Sequence, residues 1–293
     1  MKLSRPTAAI GFLMIAPAAV VMLGTLGYPI VNSFIMSFQQ ISQAGYWKTQ
    51  FIGVTNYLHL LGEPRFQNAL RVTAIYTVVA VGCEMVLGFA VALAVFAETR
   101  WSRLMRSLYI VPMVMAPVAA GLLWRYMYQP TFGVIDQALM GTGILSKPVI
   151  FLGVVGSALP SLLVVEIWQA TPFVIIVFVA GLSALPQEPY DAALVDGASG
   201  WKLIRYVTLP MLRPIILIIV IIRSMDAFRA FDLVYVMTRG GPASSTETAT
   251  YYTWISAFRE FDLGKSSAAA YIITLVVLLM SIALISSIRS EQQ

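Results

Sequence analysis

Runs of roughly 20 apolar residues recur along this chain, and runs of that length are what a helix needs to cross a bilayer core about 30 Å thick. They predict spans at about residues 8–30, 72–96, 107–127, 160–184, 214–237 and 268–288. The expected fold is therefore all-α, a polytopic membrane protein with six transmembrane helices. Residues 149–158 are apolar too, but Gly153, Gly156 and Pro160 interrupt them, which reads as an interfacial or re-entrant piece leading into span four. Composition agrees: 59% of residues are hydrophobic and 11% charged, and the mean hydropathy of +0.81 lies outside the range of soluble domains.

The loops between the spans are too short for a soluble domain, so residues 1–293 are expected to form one membrane domain. The net charge of +5 forms no run or aromatic-interleaved platform, which argues against nucleic acid and for membrane topology. Lys2, Arg5, Arg100, Arg103, Arg106, Lys202, Arg205, Arg213 and Arg289 mark alternate segments as cytoplasmic. Both termini then face the cytoplasm. The basic start followed by Ala16-Pro17-Ala18 imitates a signal peptide, but apolar sequence continues to about Ile30, so an uncleaved first helix is expected.

Several chemistries are excluded. Cys83 is the single cysteine and His59 the single histidine, leaving no disulfide, no metal cluster and no nucleophile–histidine triad. Gly264-Lys265-Ser266 imitates the end of a phosphate-binding loop, but Arg259 stands where the first glycine would have to be. Catalysis by this chain is not expected.

Residues 186–213, between spans four and five, are too polar to cross a membrane and too patterned for a plain connector. They read as two short helices. Pro189 suits a first turn, Asp191 places a carboxylate near the positive end of the helix dipole, and Gly197 can take the left-handed conformation that ends a helix. A second amphipathic stretch, Trp201 to Val207, is expected to stop at Pro210. The small residues Ala192, Ala193 and Gly197 offer a low-relief surface for a groove in another protein; the alternative is a helix lying on lipid.

Asp191-Ala192-Ala193, Gly197, and Val207 before Leu209-Pro210 resemble the Glu-Ala-Ala, Gly, Ile, Leu-Pro signature of ABC importer permeases. Further blocks are similar to the carbohydrate branch of that family, the maltose and glycerol-3-phosphate type: Tyr28-Pro29, Phe51 through Tyr57, Trp168 through Phe173, and Phe231-Asp232 with Thr238 through Pro242. The resemblance implies a type I ABC importer permease fold in the bacterial inner membrane. It implies a second, similar permease and two ATPase subunits that carry ATP and Mg, with no cofactor on this chain. A periplasmic or lipid-anchored solute-binding protein would deliver a sugar or sugar-like solute. Asp191, Ala192, Ala193, Asp196 and Gly197 would dock the ATPase, with Asp191 keeping the charge of the family's usual Glu on a shorter stem. The turn at Gly240-Gly241-Pro242 and the segment from Phe51 to Tyr57 would shape the surface that receives the binding protein.

Ionisable residues inside spans are expensive, so they are candidates for a permeation path. Glu166, Gln169, Ala170 and Phe173 recur at helical spacing in span four, as do Arg223, Asp226, Ala227 and Ala230 in span five. By resemblance these two faces match positions that surround sugar halfway across the membrane. The purely structural alternative pairs Arg223 with Asp226 and bonds Glu166 to a neighbouring helix of the complex. Arg229 and Asp232 fall on another face by spacing, suited to helix contacts, and Glu84 and Arg125 receive no role. An ion-coupled carrier using Glu166, Asp226 or Asp232 is the rival function, although neither an inverted repeat nor a pair of broken helices is evident.

Overall fold

The computed structural model describes residues 5–42, 48–96, 109–144 and 146–289. Residues 107–108 of the expected third span lie outside them, as do Lys2, Arg100, Arg103 and Arg106. Two compact units are formed, residues 1–63 with 253–274 and residues 64–252 with 275–293.

The first unit opens with α1 (Arg5–Met22), which passes through a π-helical turn, Leu23–Gly27, into α2 (Tyr28–Ser37). In a regular helix the Pro29 ring would crowd the carbonyl four residues back. The wide turn makes room for it, with the Tyr28 amide reaching the Leu23 carbonyl. A short antiparallel pair follows, β1 (Gln39–Ser42) and β2 (Lys48–Phe51), with Gln39 opposite Phe51. From α3 (Thr55–Gly62), Asn56 donates to the carbonyls of Ser37 and Gln39, each at 2.9 Å. A Cβ on Gly264 would collide with the Gln39 carbonyl oxygen, and Lys265 pairs with Glu63 at 2.8 Å. That glycine therefore serves a close backbone approach, which is the physical reason for the false phosphate-loop likeness.

The second unit holds α4 (Pro64–Phe96), α5 (109–114), α6 (Pro117–Met127), α7 (Val134–Gly141) and α8 (Val155–Ser183). It continues with α9 (Glu188–Val195), α10 (Trp201–Leu203) and α11 (Leu209–Phe228). The helices α12 (Ala249–Phe258) and α13 (Leu263–Arg289) contribute to both units. α4, α8 and α11 pack together around Ala92, Val174, Phe178, Leu212 and Ile219. Small residues let these helices approach: a Cβ on Gly88 would lie 2.5 Å from Val174, and one on Gly181 would lie 2.6 Å from Ile215.

Among the described residues, five helices are long and apolar enough to span: Leu13–Ser37, Pro64–Phe96, Val155–Ser183, Trp201–Phe228 and Leu263–Ser286. The expected third span is broken at Met115–Ala116, because Pro117 holds Ala116 in the extended region at φ −60°, ψ 135°. The fifth span also differs. Pro210 does not stop a helix, since a second π-helical turn, Ile204–Thr208, opens the ladder just before it, and the chain stays helical from Trp201 to Phe228. That helix then ends at Phe228, short of the expected Met237, and a third π-helical turn, Val234–Thr238, follows. Residues 151–154 form turns rather than a separate membrane piece, and Pro160 is taken into α8 near its start.

Candidate functional site

α8 and the end of α11 line a cavity of about 370 Å³, joined by Tyr76 of α4 and by Met113 and Pro117 on either side of the break in span three. Glu166, Gln169, Ala170 and Phe173 all line it, as their spacing on one helical face predicts. So do Arg223, Asp226 and Ala230. Ala227 does not: it is 1% exposed and packs inside the protein. A second correction concerns the residues beyond the helix end. Because α11 ends at Phe228 and the chain leaves the helix at Arg229–Phe231, helical spacing no longer applies, and Arg229 and Asp232 line the cavity instead of another face.

Arg223 organises the site. Its Nε donates to Glu84 Oε2 at 2.8 Å, and its second terminal nitrogen donates to Glu84 Oε1 at 3.1 Å and to Glu166 Oε1 at 2.7 Å. The pairing with Glu84 is the two-pronged geometry that a planar guanidinium makes with a carboxylate. Tyr76 donates its hydroxyl to Glu166 Oε2 at 3.0 Å, so both oxygens of Glu166 are engaged. Asp226 stands only within ion-pair range of Arg223, at 3.6 Å, and of Arg229, at 3.3 Å. The purely structural alternative, in which Arg223 pairs with Asp226 and Glu166 bonds to a neighbouring helix of the complex, thus gives way to a tie across three helices of the same chain, with Asp226 the more distant partner.

Glu84 and Tyr76 are the residues that sequence reasoning missed. The available signal was charge: Glu84 lies in the middle of span two, and a fully buried carboxylate requires a positive partner at the same depth. Two other polar residues repair broken helices. Gln169 Nε2 donates to the Met115 carbonyl at 2.9 Å where span three is interrupted, and Arg125 donates to the Val236 carbonyl at 2.9 Å. Both carbonyls have lost regular helical partners and sit where unpaired acceptors are costly. The loop beginning Gly240-Gly241-Pro242 turns inward. Buried Glu247 accepts hydrogen bonds from both Nε and a terminal nitrogen of Arg65, and Asn68 holds the Ser244 carbonyl at 2.9 Å.

The candidate docking segment is built differently. Pro189 sits in the first turn of α9 and Asp191 near its positive end. Gly197 adopts φ +79°, its amide donates to the Leu194 carbonyl, and the Ala198 amide donates to the Ala193 carbonyl. Those crossed bonds are the Schellman closure that a left-handed glycine permits. Asp191, Ala192, Asp196 and Gly197 are exposed, Ala193 is partly covered, and Val195 is 88% exposed.

A bundle of apolar helices with an ionic cavity at span depth and a capped polar hairpin between two spans defines a multi-pass membrane permease. The chain belongs to the family of binding-protein-dependent transport system inner membrane components, whose model matches residues 84–289. A probable ABC transporter permease of Sinorhizobium fredii is 38% identical over 270 residues, covering 92% of this chain and 86% of the relative. The trehalose/maltose transport system permease MalF of Thermococcus litoralis is 32% identical over 280 residues, covering 95% and 92%. The trehalose transport system permease SugA of Mycobacterium tuberculosis is 33% identical over 265 residues, covering 90% and 83%. In fold, the chain matches a bacterial alginate ABC transporter solved with an alginate-bound periplasmic protein, at a TM-score of 0.82 and 20% identity over 95% and 93% of the two chains. Membership decides between the two expected functions, for an ABC importer permease and against an ion-coupled carrier. It also makes this a transport permease and not an enzyme.

Proposed function

We propose that this chain forms one wall of the translocation path for a sugar or sugar-like solute, with a second permease as the other wall. ATP and Mg would act on separate ATPase subunits that dock at Asp191–Gly197, and a binding protein would deliver the solute from outside. Both termini would face the cytoplasm. The observation that carries this reading is the continuity of one helix. Residues Trp201–Phe228 run unbroken for 28 residues from beside the capped α9 to the cavity residues Arg223 and Asp226. At about 1.5 Å per residue a helix of this length is some 40 Å long, enough to carry a displacement at the docking segment to the solute site as a rigid rod. The sugar class is supported by the names of the relatives, and by a cavity that combines carboxylates with the Phe173 ring.

Gly197→Asp tests it in proteoliposomes holding the complete importer. The exposed turn has room for the side chain, but φ +79° does not suit it and the charge obstructs a docking groove. Solute uptake and solute-stimulated ATP hydrolysis are expected to be lost while the protein still reaches the membrane. Normal uptake by this variant would refute the docking role.

A further inference from the structure

Two arginines line the cavity, and the protein holds their guanidinium groups in different ways. Arg223 is locked: its Nε and one terminal nitrogen are bonded to Glu84 and Glu166 at 2.7 to 3.1 Å, and its side chain is only 9% exposed. Arg229 stands one residue beyond the end of α11, with its side chain 60% exposed. Its Nε donates to the Met225 carbonyl at 3.2 Å and one terminal nitrogen donates to Asp226 at 3.3 Å, while the other terminal nitrogen has no bond among the described residues. Both contacts are long and exposed, so water already competes for them. The remaining polar donors of the cavity are turned inward: the Tyr76 hydroxyl donates to Glu166 and the Gln169 amide to the Met115 carbonyl.

We infer that Arg229, and not Arg223, is the solute-binding guanidinium of this wall: a specificity-determining residue that donates to paired oxygens of the solute. Oxygens paired in that way are neighbouring hydroxyls of a sugar ring or the carboxylate of a sugar acid. This rests on the importer reading above and assigns the donor within it. A terminal guanidinium nitrogen carries a pair of N–H donors, and the planar group presents them in a fixed fork. The end of α11 favours a cation there, because its last carbonyls carry the negative end of the helix dipole, so Arg229 is held at the cavity without being buried. Arg223 could turn to a solute only by leaving Glu84 buried and unpaired, whereas Arg229 would give up one exposed contact at 3.3 Å.

The test measures equilibrium binding of radiolabelled trehalose and glucuronate to the complete importer in lipid nanodiscs, without the binding protein, alongside thermal unfolding. Tighter binding of trehalose by the unaltered importer identifies the paired oxygens as hydroxyls, and tighter binding of glucuronate identifies them as a carboxylate. Arg229→Gln is expected to weaken the preferred probe at least about tenfold, the scale of one hydrogen bond from a charged donor, and to leave the unfolding midpoint in place. Arg229→Lys keeps a cation at the helix end but loses the fork, and is expected to weaken the same probe at least about threefold. Unchanged affinity in Arg229→Gln overturns the inference, as does failure of both probes to bind. Weaker binding that comes with a lowered midpoint in Arg229→Gln and is restored in Arg229→Lys also overturns it, because the residue would then serve only to cap α11. The same importer is assayed for assembly and ATP-driven uptake. An importer that transports while Arg229→Gln binds normally refutes this assignment alone, whereas a chain that assembles with no ATPase refutes the reading beneath it.

Discussion

The Arg223 cluster and the α9 segment are both polar interruptions in an apolar chain, and they resolve that polarity in opposite ways. The cluster satisfies itself: Glu84, Glu166 and Tyr76 converge on one another and on Arg223 from three helices, at 2.7 to 3.1 Å. The α9 segment closes its backbone at Gly197, is tied to the next helix by a neutral side-chain bond, and leaves Leu194, Val195 and Trp201 exposed. Removing one member of a cluster paired inside one chain leaves its partner buried and uncompensated, at a cost to that chain. A capped helix with an uncovered apolar surface is suited to a partner. Substitutions in the first region should therefore register as lost stability, and substitutions in the second as lost coupling.

The largest expected effect follows from removing the centre of the cluster. Arg223→Met leaves Glu84 buried with no counter-charge, and breaking a buried pair in this way costs about 3–5 kcal/mol. Thermal unfolding of the purified chain in nanodiscs should show a clearly lowered midpoint. Adding Glu84→Gln and Glu166→Gln to Arg223→Met should recover part of the loss, since neutral replacement of an entire buried pair is far less harmful than removal of one member. A midpoint unmoved by Arg223→Met would mean that the cluster is solvated and would dissolve the contrast.

A smaller effect is expected one step out. Tyr76→Phe removes a single hydroxyl that donates to Glu166, a hydrogen bond to a charged acceptor worth about 1.5–3 kcal/mol. Glu166 retains some exposure, so water can replace the lost donor and the low end of that range applies. The same unfolding measurement should show a modest shift, below that of Arg223→Met. A shift as large as that of the arginine variant would place the organising role on Tyr76.

Much of this was legible from the chain itself. The lengths of the apolar runs located the helices, and α8, a regular helix in spite of Pro160 and Pro172, kept Glu166, Gln169, Ala170 and Phe173 on one face as the spacing required. Prediction failed where the backbone departed from regular geometry. Helical spacing assigned Arg229 and Asp232 away from the cavity, but the helix ends at Phe228, and periodicity carries no information past such a break; Ala227 lies within the helix, where spacing marks a face but not which edge of it packs against protein. Pro210 read as a stop because a π-helical turn that absorbs a proline has no plain sequence signature. Glu84 was visible as a costly charge, yet its partner lies on a helix distant in sequence, and pairing between helices is decided by packing rather than by pattern.

The smallest expected effect bears on how the proposed docking segment is joined to the rod. The Tyr190 hydroxyl donates to Thr208 Oγ1 at 3.0 Å, linking α9 to the π-helical turn from which the Trp201–Phe228 helix continues. The bond is neutral and only partly buried, so Tyr190→Phe should cost about 0.5 kcal/mol, too little to move the unfolding midpoint. Its consequence lies in transmission, because a docking helix less firmly tied to the rod passes on less of its displacement. The ratio of solute moved to ATP hydrolysed in proteoliposomes should fall by about twofold, the factor that 0.5 kcal/mol represents. Thr208→Val should produce the same fall, and the double variant should be no worse than either single one, because both changes remove one shared interaction. Additive losses would show that each side chain acts through separate contacts and that α9 is joined to the rod by something other than this bond.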